Sequence, residues 1–176
     1  VLFAQVPDHS DTETEPLVLG QKIRVSSLHL NQKRELNIFL PTTYTDSISK
    51  RYPVIYVLDG GMHEDFLHIT GLVHFATFPW APLIDESIVV GISNIDRKHD
   101  FTYPTNNAQD KIDFPTTGGS AAFIKFIKEE VQPFIANRYR ITNKKTLIGQ
   151  SLGGLLATEI LWKYPETFTS YIIVSP

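Results

Sequence analysis

The 176-residue chain contains no cysteine, which excludes disulfides, Cys-based zinc sites and thiol catalysis. No apolar run approaches the 18 residues that a membrane-crossing helix needs. Neither sign of charge dominates: 16 Lys and Arg stand against 19 Asp and Glu, a net charge of −3. The densest basic cluster, Lys144-Lys145, is too small to track a phosphate backbone, so no nucleic-acid partner is expected. There is no internal repeat and no linker. Length and a 42% hydrophobic content suit one domain with a substantial core. The last absence is local: all six histidines precede position 151.

Residues 1–19 read as a mobile leader. The apolar start, Val1 to Gln5, is either the tail of a secretion signal with Ala4 near its cleavage site or a disordered terminus. A periplasmic or secreted location follows from the first reading, a cytoplasmic one from the second. From Gly20 the pattern changes. Lys22–Leu30 and Arg34–Leu40 alternate apolar and polar residues, as an antiparallel hairpin would. Tyr52–Leu58 and Ser87–Ser93 are continuously apolar, as expected of central strands covered on both faces. A helical stretch around Phe66–Phe75 separates them.

Asn94–Pro115 reads as a long irregular and therefore functional loop. Gly118-Gly119-Ser120 opens an amphipathic helix that Pro133 is expected to bend. A short strand at Thr146–Ile148, a helix from Leu155 to Tyr164 and a buried strand at Ser170–Ser175 complete the chain. Two alternating strands followed by strand–helix units predict an α/β fold with a mostly parallel sheet. Ligands in such sheets bind at the carboxyl ends of strands. Asp59-Gly60-Gly61, Asn94–Arg97, Ser151 and Ser175-Pro176 all fall on that rim.

Gly149-Gln150-Ser151-Leu152-Gly153 lies between the strand and the helix. In that setting G-x-S-x-G forms a nucleophile elbow, a turn so tight that the positions two before and two after the serine tolerate almost no side chain. The alternative is a Gly-rich turn whose serine merely caps the helix.

The chain resembles the α/β-hydrolases of the esterase family that includes siderophore (enterobactin-type) esterases, S-formylglutathione hydrolases and mycolyltransferases. The resemblance rests on Tyr52–Gly60, on Ile92–Pro104 with its Arg-x-x-Asp-x-Thr spelling, on Gly149–Leu155 and on Tyr164–Phe168, and spans about residues 20–176. Tyr103 between Thr102 and Pro104 departs from the commoner Thr-Pro spelling. The resemblance implies a three-layer α/β-hydrolase sandwich with an N-terminal antiparallel hairpin. It implies a small-molecule carboxylic-ester substrate, with no cofactor and no metal. Ser151 would be the nucleophile, and the backbone N–H groups of Leu152 and Gly61 would be the oxyanion donors. Arg97, Gly60 and Gln150 would contact substrate. Arg97 is equally open to a surface pair with Asp96 or Asp100, and His63 and His99 read as histidines flanking the pocket.

In this family the triad runs Ser, then Asp or Glu, then His. After Ser151 the available acids are Glu159 and Glu166, neither placed to serve, and there is no histidine. The expectation is therefore that residues 20–176 form the N-terminal two-thirds of the domain, lacking the last two strands, and are inactive alone. Tyr171–Val174 is then expected to be an exposed edge prone to self-association. Two further readings stay open: an acyltransferase, and a non-catalytic binding module on the same fold.

Overall fold

The computed structural model describes residues 13–80 and 82–176. The first twelve residues of the expected leader, Ala4 among them, lie outside that range. Strands β1 (Gln21–Ser27) and β2 (Gln32–Phe39) form the hairpin, with Gln21 opposite Ile38 and Ser27 opposite Gln32. Asn31 closes its turn at φ 50°, a left-handed conformation that asparagine tolerates. β3 (Tyr52–Val57), β4 (Ile88–Ile92), β5 (Ile141–Gln150) and β6 (Ser170–Val174) complete a six-stranded sheet in the order β1-β2-β4-β3-β5-β6. β2 runs antiparallel to β4, and β4-β3-β5-β6 are mutually parallel.

The sheet is covered on both faces. Successive β3 side chains point to opposite sides: Val54 and Tyr56 join the core of Phe123, Phe126, Ile127 and Leu156, while Ile55 and Val57 pack with Phe66 and Val73. The second face belongs to α1 (Phe66–Ala76). The first belongs to α6 (Leu152–Lys163) and to the long helical stretch of α4 (Ser120–Lys125) and α5 (Gln132–Arg138). These are the three layers that the resemblance implies.

Three details differ from expectation. Asn94–Pro115 is not structureless: it holds α2 (Arg97–Phe101) and α3 (Ala108–Asp113), capped by the Asp96 and Asn107 side chains respectively. β5 is ten residues long rather than three, its polar first half emerging at the end of the sheet opposite the rim, where Asn143 and Lys144 are exposed. α6 starts at Leu152, directly after the serine. The bend expected at Pro133 takes the form of a π-helical turn over Phe126–Val131, where the Gln132 N–H bonds to Ile127 O, five residues back. The proline ring would crowd the carbonyl four residues before it, and the widened turn relieves that clash.

Candidate active site

Ser151 stands between the last residue of β5 and the first of α6 at φ 53° and ψ −123°, exposed at the rim. Its N–H donates to Val174 O at 2.9 Å, so the end of β6 fixes the turn from the side. Gly149 is sterically required and Gly153 is tightly packed. A Cβ on Gly149 would strike the Gly153 carbonyl, with its carbon at 2.6 Å, and one on Gly153 would come within 3.0 Å of Asp59 Oδ2. Asp59 at φ 53° and Ser175 at φ 45° repeat the left-handed conformation at the ends of β3 and β6. Three strained residues thus occupy three adjacent strand ends, as is common at functional sites.

The Arg97 guanidinium engages Asp59, Nε to Oδ1 at 2.5 Å and Nη2 to Oδ2 at 3.1 Å, and Nη2 also reaches Gln150 O at 3.3 Å. Its carboxylate is therefore Asp59, and not Asp96 or Asp100. Arg97 ties the loop after β3 to the residue before Ser151, with a third of its side chain still exposed. Asp96 instead accepts the His99 N–H at 3.0 Å, and that bond holds its carboxyl below the usual aspartate range.

Asp100 has a separate task. With side chains about 1% exposed on both partners, it receives Arg34 Nη1 at 2.6 Å and Nη2 at 3.1 Å, anchoring α2 to β2. Thr102 bonds Lys98 O and receives the Gly118 N–H, closing the loop. Each fixed position of Arg-x-x-Asp-x-Thr thus has its own partner. Tyr103 projects outward beneath the Lys163 ammonium, which explains how the extra residue is accommodated.

The remaining candidates separate. Gly60 is buried with both backbone groups committed, N–H to Ile92 O and C=O to Asn37 Nδ2, each at 2.9 Å. A Cβ there would collide with Gly91, so Gly60 lets the ends of β3 and β4 touch and offers a substrate no free polar group. The Gly61 N–H already donates to Glu64 Oε2 at 2.7 Å. Gln150 is exposed, and its side chain lies 3.5 Å from Asp65. Burial, reinforced by the charges of Asp59 and Glu64, pushes the Asp65 carboxyl up. His63 is exposed, and His99 packs on Gly119 beside Asp100. Glu159 pairs with Lys163 and Glu166 with Lys128, both away from the serine. Asn94, placed on the rim by the sequence, bridges Asp59 Oδ1 and Glu64 Oε1 at 2.6 and 2.9 Å, and that bridging role was not signalled. A cleft of about 360 Å³, lined mostly by α1, Ile148 and Ile172, reaches this rim at Gln150 and Val174.

A mostly parallel sheet covered on both faces, with a strained serine in a glycine-flanked turn at the end of β5, defines an α/β-hydrolase fold. The chain belongs to the family described as "Putative esterase", whose profile matches residues 27–176. It is 32% identical to the ferri-bacillibactin esterase BesA of Bacillus subtilis, an alignment covering 89% of this chain and 58% of that protein. Among solved structures, an IroE-like serine hydrolase from Shewanella oneidensis superposes with a TM-score of 0.77 at 34% identity, covering 88% of this chain and 49% of that one. The BES protein from Bacillus cereus gives the same TM-score at 28% identity, covering 93% and 64%. The chain thus spans from 49% to 64% of the length of these relatives.

Proposed function

We propose that this chain carries the nucleophile half of a serine carboxylic-ester hydrolase acting on siderophore-type esters. The observation that carries the reading is Ser151, exposed and strained in a turn where Gly149 has no room for a side chain and Gly153 little. Its Oγ attacks the ester carbonyl, and the Leu152 N–H at the start of α6 stabilises the developing oxyanion. A second backbone donor comes from the loop after β3, at Gly61. One such donor is worth about 2.7–4 kcal/mol of barrier. Arg97 holds the two loops that carry these donors in register through Asp59 and Gln150. The general base and its orienting acid are supplied by residues outside these 176, since no histidine follows Ser151. The siderophore class is favoured by the 32% identity to a ferri-bacillibactin esterase.

The test uses the full-length gene product. A fluorophosphonate probe is expected to label it at Ser151, Ser151→Ala to abolish labelling, and a catecholate trilactone to be cleaved. A folded full-length protein that resists the probe would instead support the binding-module reading. The 176-residue chain alone is expected to show only the residual rate that oxyanion donors and binding supply.

A further inference from the structure

We propose that Glu64 gates the oxyanion site: its carboxylate holds the Gly61 N–H in the resting protein and is displaced before that donor serves the reaction. This rests on the assignment of Ser151 and Gly61 above. The Gly61 N–H donates to Glu64 Oε2 at 2.7 Å, while the Glu64 N–H returns to Gly61 O at 3.1 Å. That reciprocal pattern resembles a capping box, which at most helix starts only satisfies an orphan donor. Here the satisfied donor is the one that the substrate's carbonyl oxygen requires.

The other carboxylate oxygen, Oε1, takes Asn94 Nδ2 from the loop after β4, so Glu64 spans two loops of the rim. Bonds to a charged acceptor are about twice as strong as neutral ones. A neutral ester carbonyl therefore competes poorly for Gly61, whereas an oxyanion competes on equal terms.

Two features make the carboxylate displaceable. Glu64 is exposed, and it shares the rim with Asp59 and Asp65, while the nearby cation, Arg97, is committed to Asp59. Gly61 permits the contact because it lacks a side chain: a Cβ would lie 2.6 Å from Glu64 Oε2 and 3.0 Å from Cδ. Gly61 is not in the left-handed region, so alanine fits its backbone and would push the carboxylate away.

The experiment compares the full-length wild type with Glu64→Ala, Gly61→Ala and the double variant. It measures p-nitrophenyl acetate kcat/KM, the rate of fluorophosphonate labelling and the Gly61 amide resonance by NMR. A gate predicts that either single change raises both rates by about tenfold, a fraction of the 10²–10³ that one oxyanion donor supplies. The double variant should gain nothing beyond the singles, and the Gly61 amide should shift in Glu64→Ala. Unchanged or lowered rates with a lower Tm would overturn the proposal, leaving Glu64 as a structural cap. An unmoved Gly61 amide would overturn it alone. A wild type that neither turns over nor labels would remove the esterase reading, and the gate with it.

Discussion

Ser151 adopts a conformation that costs a non-glycine residue about 1–3 kcal/mol, because its Cβ crowds the backbone at φ 53°. Ser151→Gly should therefore raise stability by about 1 kcal/mol in urea denaturation while abolishing nucleophilic reactivity. Ser151→Ala should abolish reactivity without that gain, since alanine keeps the Cβ. Equal stabilities for the two variants would show that the turn stores no strain. The tight turn at Ser151 was legible in the sequence because it is a local device, specified by residues 149 to 153. The partner of Arg97 was not. Local spacing favours Asp96 and Asp100, but the carboxylate that binds it is 38 positions away. The parallel pairing of β3 with β4 is what brings the Asp59 loop against the Arg97 loop.

At the scale of elements, α2 is anchored by the buried Arg34–Asp100 pair and the Asp96 cap, beside the Arg97–Asp59 pair and the core packing of Phe101. Asp100→Asn keeps the shape of the side chain but leaves the Arg34 charge buried without a counter-ion. A loss of about 3–5 kcal/mol is expected, measured by denaturant unfolding of the full-length protein. The double change Arg34→Met with Asp100→Leu should recover most of that loss, because two charges are then no longer desolvated. The continuously apolar strands β3 and β4 were readable from composition, since burial on both faces leaves no room for alternation. α2 and α3 were hidden for the opposite reason: they are five and six residues long, too short for a helical period, and only the caps at Asp96 and Asn107 mark them. The polar start of β5 concealed it in the same way, because its exposed end carries the charges that a loop would.

At the scale of the molecule, β6 is the last strand in the order, paired with β5 on one side, with Ile172 and Val174 each nearly half exposed. The 176-residue polypeptide produced alone should associate through this edge. Sedimentation is expected to show species heavier than 19.9 kDa whose proportion rises with concentration, and Ile172→Lys should suppress them. A monodisperse monomer at all concentrations would contradict this. Sheet class could be inferred from the order of patterns, but the strand order could not, because nothing local says that β3 passes beyond β4 to meet β5. The bond from the Ser151 N–H to Val174 O gives the fold a timetable. On the ribosome the serine emerges first, and the carbonyl that fixes its turn follows about two dozen residues later, roughly one to five seconds at ordinary rates of synthesis. Until then the turn lacks its lateral support, so the nascent chain carries the strained serine before it has the bond that holds it in place.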